Sequence, residues 1–556
     1  MLEILTPNQL LAKNYLEELN FKDISTKNKT LTMSKPFIVN GKRTEIIITL
    51  SQYFPLEYPS FYIKDTSLFL LYPHLQLTYK YSDACSICLI KEEDKKLSNL
   101  SSDLILNEMI NRLEQYILEL NNGQLQQAEI FDEFEHYWNY PLFPVPIIHY
   151  NEDCFHEKIK IKLLDIYFSK NLAIIDENRN IDNFFKAIDI PYNKEKILFI
   201  NFDKYFPRKI PTSYDEFLAA IQIAKIMPSF KKLKKSIVFP FILFSLKHPS
   251  SKKKIFATLY IKEQNQNIPI LVSLLNKNNE NKRLIGGTAK NINLQRIYTR
   301  GGNNINMKVN EKAKKIAIIG CGSVGASLAL KLLKSGFSNF LLVDKQTLSV
   351  DNIGRHLLGM EYVNTNKAQA LKNFMLKQLI GLKIETIESS IHENIDTLKN
   401  CDLIISALGN DANHIEEHLI QNAINGDLPP IISCWLEADA IAGHAVLFDL
   451  SLKDYQNLNG FFDINYLFSN INILDSNFAK SLKKDDVGCN ATYMPYSFLN
   501  ADLHINHFAN MIISFILKQE VKHILSSISN IEHINEHLKN PKLVKSYTVL
   551  QSELPE

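Results

Sequence analysis

The chain has 556 residues, enough for three or four domains of ordinary size. Its 62 Lys+Arg against 60 Asp+Glu leave a net charge of +2, which removes the electrostatic case for a nucleic-acid or membrane-surface partner. The 46% hydrophobic content excludes a disordered chain, and the one sizeable apolar run, 237–244, is broken by Pro240 and far short of the roughly 18 residues of a membrane span. The opening MLEILTPNQL lacks the basic start and apolar stretch of a secretion signal. Seven scattered cysteines (Cys85, Cys88, Cys154, Cys321, Cys401, Cys434, Cys489) argue against a disulfide scaffold and for a cytoplasmic protein with free thiols.

Residues 1–140 read as an α+β domain. Thr6, Pro7 and Gln9 form a capping box, followed by an apolar helical face of Leu10, Leu11, Tyr15, Leu16 and Leu19. Strands at 37–39 and 44–50 flank Asn40-Gly41, a hairpin signal, and another strand is expected at 61–63. An irregular stretch with Pro73, His74 and the pair Cys85/Cys88 leads to a five-turn helix, 103–120. Residues 141–309 form an α/β linker domain, with strands at 197–200 and 255–261 and a helix at 214–225. Its lysine clusters (231, 232, 234, 235; 252–254) read as solvated, and 301–306 as an exit linker.

The remaining block, 310–556, alternates strands and helices to about residue 450, predicting a mostly parallel, doubly wound sheet. The strand 316–319 runs into Gly320-Cys-Gly322-Ser-Val-Gly325, and a helix, 326–333, follows. Gly320 permits the tight turn, Gly322 lets a phosphate approach the backbone, and Gly325 lets helix and strand pack closely. Exposed amides and the helix dipole then favour an anion. Asp344 ends the next strand, 340–343, where a carboxylate binds ribose hydroxyls. Asn352, Arg355 and Lys367 follow, supplying cations and a polar group that suit a triphosphate with Mg²⁺ better than a dinucleotide.

The stretch GCGSVGASLALKLLKSGFSNFLLVDKQTLSVDNIGRH, with Lys367 behind it, resembles the adenylation domain of ubiquitin-activating enzymes and their bacterial ThiF/MoeB relatives. The resemblance implies a Rossmann-like domain in which Asp344 binds ribose and Asn352, Arg355 and Lys367 contact the phosphates of ATP. It implies adenylation of a protein's C-terminal carboxylate, with release of pyrophosphate. The family's metal-binding Asp is replaced by Gly409, so Asp411 is the candidate Mg²⁺ ligand. Homodimerisation is implied too, with Arg296 or Arg300 reaching the other subunit's ATP.

Two thiols are candidate acyl carriers. Cys489, in Val487-Gly-Cys-Asn490, follows a polar stretch (454–486) and precedes an amphipathic helix, 501–517, as in activating enzymes that carry their cysteine beyond the adenylation core. Cys88 sits in Ser86-Ile-Cys-Leu89, after Tyr58-Pro59 and Tyr72-Pro73-His74-Leu75, and this order resembles the ubiquitin-conjugating fold. The usual Asn is absent. His74 stands near its place and either donates a hydrogen bond or acts as a base. Half a zinc site or a redox dithiol is the other reading of Cys85/Cys88. Cys321, Cys401 and Cys434 read as structural.

A conjugating-like, a middle and an activating-like domain in one chain resemble the fusion proteins of anti-phage CBASS operons. That resemblance implies a relay from ATP to Cys489 to Cys88 to a lysine amine, with a cGAS-like nucleotidyltransferase as the partner whose C-terminus is carried. The alternatives are an NAD-dependent oxidoreductase using the same glycine loop, and a non-catalytic scaffold that binds a partner tail.

Overall fold

The computed structural model describes residues 5–69, 71–78, 80–90, 101–125, 127–132, 134, 138, 147–155, 161–170, 172–177, 179–202, 219, 241–248, 251, 253–262, 283–300, 314–408, 413–453, 471–474, 476–485, 492–528 and 549–552. Two compact units emerge: Met1–Glu177 with Tyr192–Ile292, and Asn178–Pro191 with Asn293–Glu556. The expected helix 214–225 (residue 219 apart), the linker 301–306, Gly409, Asp411 and Cys489 lie outside the described residues, as does the side chain of Arg300.

The first unit opens with the helix Pro7–Glu18, whose Thr6–Gln9 capping box forms as the sequence predicts (Thr6 N to Gln9 Oε1 3.0 Å, Gln9 N to Thr6 Oγ1 3.2 Å). Its buried face differs from expectation. Leu10 and Leu11 are 52% and 62% exposed, and Gln9 and Ala12 turn inward beside the expected Leu16. The cause is polar: the Gln9 side-chain amide donates to the carbonyls of Lys29 and Leu50, each at 3.1 Å, and ties the first turn to the sheet.

That sheet is antiparallel: β1 Lys22–Lys27, β2 Thr30–Val39, β3 Lys42–Leu50, β4 Ser60–Ile63, β5 Leu75–Leu77 and β6 Cys85–Ile87, in the order β1-β2-β3-β4-β6-β5. Asn40 and Gly41 both have positive φ (48° and 74°) between the paired Val39 and Lys42, the geometry of a type I′ hairpin. The helix Ser102–Asn121 lays Ile105, Met109, Leu113 and Tyr116 on the same core as Leu31, Ile46 and Phe61.

A second sheet in this unit contains β7 Ile148–Tyr150, β8 Ile161–Phe168, β9 Ala173–Ile175, β10 Asn193–Asn201, β11 Phe241–Lys247, β12 Lys254–Lys262, β13 Arg283–Gly287 and β14 Ala289–Asn291. Their order is β13-β12-β11-β10-β8-β9-β7-β14, around a core that includes Leu164, Phe199, Leu243 and Phe256.

The second unit is a doubly wound α/β sheet. β15 Lys315–Ile319, β16 Asn339–Val343, β17 Lys383–Ile387, β18 Leu403–Ser406 and β19 Ile431–Leu436 are parallel; β20 Ala442–Phe448 then runs antiparallel to β19. A short ribbon joins β21 Lys484–Asp485 to β22 Thr492–Tyr493. β23 Ile524–Ile528 and β24 Val549–Ser552 complete the large sheet, ordered β17-β16-β15-β18-β19-β20-β23-β24. Both faces are covered, which is why β15 is continuously apolar: Ile316 and Ile318 enter one core, Ala317 and Ile319 the other. Strand order reverses between β15 and β18, and the crevice outside their carboxyl ends is where this topology places a ligand.

Candidate active site

The glycine loop leaves β15 at that crevice and enters the helix Ser323–Lys334. Gly320 has φ +89°, and a Cβ there would lie 2.5 Å from the Ala407 carbonyl oxygen at the end of β18. A Cβ on Gly325 would lie 1.9 Å from the Gly320 oxygen. Both glycines are demanded by packing. Gly322 is different: its φ is −75°, and a Cβ on it would meet nothing within 4 Å. It is also the helix N-cap, with no side chain capping the first-turn amides. Packing gives no reason for glycine here, whereas close approach of a phosphate to bare N–H groups does.

The loop is clamped from two sides. Asp344, just past β16, accepts from the Cys321 amide through Oδ2 and from the Gln346 amide through Oδ1, both at 2.8 Å. Each carboxylate oxygen keeps a further lone pair for a hydroxyl donor. His356 holds the carbonyl side of the same residue, Cys321. Its Nδ1 accepts from the Leu358 amide at 3.1 Å, so the ring proton belongs on Nε2, which donates to the Cys321 carbonyl at 2.9 Å. Burial lowers the His356 pKa and keeps the ring neutral at pH 7. His356 closes the Asn-x-x-Arg-His run and was not assigned from sequence; its spacing from Arg355 was the only signal.

Lys367 begins the helix Lys367–Leu376 and is 8% exposed. Its ammonium reaches the neutral Gln346 Oε1 at 2.8 Å, and no carboxylate pairs with it among the described residues. A buried cation on a neutral partner is poorly compensated, and an anion would complete it. Arg355 is half-buried, with its guanidinium 5.5 Å from the Tyr496 ring centroid. Asn352 accepts from the Ser349 amide at 3.3 Å and is half-buried. Gly320, Gly322, Gly325, Asp344 and Lys367 thus converge through direct contacts or shared partners. Among the described residues Asn352 is tied only to its own turn, and Arg355 joins the cluster through Tyr496, whose hydroxyl hydrogen-bonds Ser323 Oγ. Sequence reading gave no signal for Tyr496, which lies about 170 positions from the loop.

The other thiols of this unit are walled in. Cys321 is fully buried, and desolvation raises its pKa well above the usual range. Burial pushes Cys401 up to about 11 and raises Cys434 further. The chain is held on both sides of Cys489. The buried Glu437 carboxylate accepts from the amides of Ile473 (2.6 Å) and Leu474 (2.8 Å) and bonds His444 Nε2 at 2.6 Å; beyond the thiol, Tyr496 is fixed as described.

The first unit contains a second candidate centre. Cys88 directly follows β6 and is exposed, and its amide donates to the His74 carbonyl at 2.9 Å, so the two residues are neighbours across the β5–β6 pair. His74 is held at φ +62°. Tyr116 OH donates to the Pro73 carbonyl at 2.7 Å, fixing the approach to His74, and the imidazole Nε2 lies 3.8 Å from Glu129 Oε2. On the other flank, Arg112 Nη1 donates to the Leu89 carbonyl at 3.2 Å. Cys85 faces inward, is 0% exposed, and has its pKa pushed up to about 12 by burial. The two cysteines therefore occupy different environments, and both are free thiols. Among the described residues no group of three or more His, Cys, Asp or Glu could hold a metal ion.

Comparison with known proteins agrees with this division. Residues 289–545 match the ThiF family and residues 10–141 match prokaryotic E2 family B. An ATP-dependent ubiquitin transferase-like protein Cap2 of Pseudomonas aeruginosa is 32% identical over 142 residues, 24% of this chain and 24% of that protein. Its namesake from Vibrio cholerae is 24% identical over 303 residues, 49% and 48% of the two chains. SUMO-activating enzyme subunit 2 of Dictyostelium discoideum is 25% identical over 21% of this chain and 18% of its own. The chain spans at most about half the length of these relatives. The crystal structure of E. coli MccB with ATP superposes on 44% of this chain and 65% of its own, at 16% identity and a TM-score of 0.31, too loosely to argue from. The chain thus joins a ubiquitin-conjugating-like segment that matches prokaryotic E2 family B to a ubiquitin-activating-like segment that matches the ThiF family.

Proposed function

We propose that the protein uses ATP to activate the C-terminal carboxylate of a partner protein and passes the acyl group through two thiols to a lysine amine. Its working parts are residues 1–140, 141–309 and 310–556, the first conjugating and the last activating. The observation that carries this reading is an open Gly322 together with a buried Lys367 whose ammonium bonds a neutral glutamine and, among the described residues, no carboxylate. Nicotinamide chemistry gives no reason to bury that cation beside the phosphate cradle.

Asp344 binds the ribose hydroxyls with its remaining lone pairs, while the first-turn amides, Lys367, Arg355 and Asn352 hold the phosphates. These cations lower the charge that a partner carboxylate meets on approach. The carboxylate oxygen bonds to the α-phosphorus, and pyrophosphate leaves. Asp411 is the candidate Mg²⁺ ligand, and no step here depends on it. The Cys489 thiolate then attacks the acyl carbon, forming a thioester and releasing AMP. Cys489 lies seven positions before Tyr496, so full extension keeps its Cα within about 25 Å of that anchor. Cys88 takes the acyl group by thioester exchange, and its exposure suits that role. His74, whose carbonyl accepts from the Cys88 amide, serves the final step, in which a lysine amine displaces the Cys88 sulfur. By resemblance to the CBASS fusions, the partner is a cGAS-like nucleotidyltransferase; a homodimer in the cytoplasm is the expected working form.

The relay is tested by incubating the full chain with ATP and that partner, then resolving adducts by intact mass with and without reductant. The reading expects ATP-dependent, reductant-sensitive adducts at Cys489 and Cys88, with Cys489→Ala abolishing both and Cys88→Ala trapping the first. Conjugation that survives Cys88→Ala would refute the assigned role of the first domain.

A further inference from the structure

Tyr496 touches two members of the phosphate cradle at once. Its hydroxyl hydrogen-bonds Ser323 Oγ, the first residue of the glycine-loop helix. Its ring lies against the Arg355 guanidinium, 5.5 Å from the centroid. A cation–π contact holds a guanidinium without neutralising its charge, unlike an ion pair, which would also occupy its hydrogen-bonding fork. No carboxylate pairs with Arg355 among the described residues. Tyr496 is itself partly buried against the core beneath the loop and lies two residues before the helix Phe498–Ile516, whose N-cap Ser497 accepts from the Asn500 amide at 3.0 Å. The ring is thus fixed from behind. It also closes the segment that begins at Cys489.

We propose that Tyr496 is a positioning residue for the nucleotide's phosphates, presenting Arg355 through its ring face and Ser323 through its hydroxyl. The inference rests on the reading of this crevice as an ATP site, and it makes the phosphate cradle depend on the chain segment that carries the thiol. The ligand chemistry concerned is a polyphosphate chain, not the nucleoside.

The test uses the full chain and equilibrium binding of ATP and of adenosine to wild type, Tyr496→Phe, Tyr496→Leu, Ser323→Ala and Arg355→Ala. Tyr496→Leu should weaken ATP roughly tenfold while leaving adenosine within about twofold. Tyr496→Phe keeps the ring and should weaken ATP only about threefold, with no further loss when combined with Ser323→Ala. Tyr496→Leu on the Arg355→Ala background should cost less than on wild type. Unchanged ATP binding in Tyr496→Leu, equal losses for ATP and adenosine, or full additivity in the double-mutant cycles would each overturn the proposal. A wild-type chain that binds no ATP would instead remove the underlying site. Should Tyr496→Leu fail to fold, the Tyr496→Phe and Ser323→Ala cycle decides alone.

Discussion

Gly322→Ala separates packing from ligand binding more cleanly than any other change in the loop. The backbone there, at φ −75°, suits alanine, and the new methyl meets no atom within 4 Å. Loss of unfolded-state freedom stabilises by about 0.4–1 kcal/mol, and alanine is a poorer N-cap than glycine by a similar amount. The net effect on the unliganded protein is therefore within about 1 kcal/mol of zero. The methyl does occupy the space through which a phosphate reaches the first-turn amides. Nucleotide at 100 times its Kd adds about 2.7 kcal/mol to a native state that binds it, and the variant should lose most of that increment. Gly325→Ala should behave in the opposite sense. Its Cβ would sit 1.9 Å from the Gly320 oxygen, so the helix must shift, and stability should fall by about 1–3 kcal/mol even without nucleotide. Urea unfolding of each variant with and without ATP measures both terms. A Gly322→Ala protein that gains as much from ATP as wild type would refute the reasoning, because the glycine would then serve no ligand.

Two other expectations concern histidines. Burial lowers the His504 pKa to about 4, and the ring bonds Ser527 Oγ at 2.6 Å and the Ala440 carbonyl at 2.9 Å. The unfolded chain takes up this proton near pH 6.5 and the folded one only near 4, so stability falls as pH drops through that window. At about 1.4 kcal/mol per pH unit the loss reaches about 3 kcal/mol, and His504→Asn should flatten that part of a urea-midpoint profile; an identical slope in both proteins would contradict the assignment. For the conjugating centre, His74→Ala should slow lysine discharge from a preformed Cys88 thioester about 10²-fold while leaving thioester formation intact, as followed by single-turnover chase with free lysine. An unchanged discharge rate would remove His74 from the chemistry.

The sequence exposed the parts of this protein where local chemistry is strict. The Thr6–Gln9 cap, the Asn40-Gly41 turn and the strand–glycine–helix passage each rest on constraints that few residue types satisfy, and each forms, the last with its helix starting at Ser323 and not at 326. Strand β1 escaped notice because its residues are largely polar and exposed at a sheet edge, and its turn to β2 uses Asn28 and Lys29 rather than a glycine. The inward face of the first helix was misjudged because a glutamine, bonded to two carbonyls, took the place expected of Leu10 and Leu11. At the nucleotide site, residues contiguous with the motif were legible, whereas Tyr496 is brought to it only by the packing of the helix that follows. Distances of that kind are fixed by tertiary structure and leave no spacing signature.

The central claim is that the glycine-loop crevice uses ATP to activate a carboxylate. The most direct measurement is exchange of labelled pyrophosphate into ATP by a chain in which Cys88 and Cys489 are both alanine, so that only the adenylation step can contribute. The account predicts exchange that requires the partner with its free C-terminus and is abolished by Lys367→Met. Absence of exchange with an intact partner, or exchange that survives Lys367→Met, would contradict it.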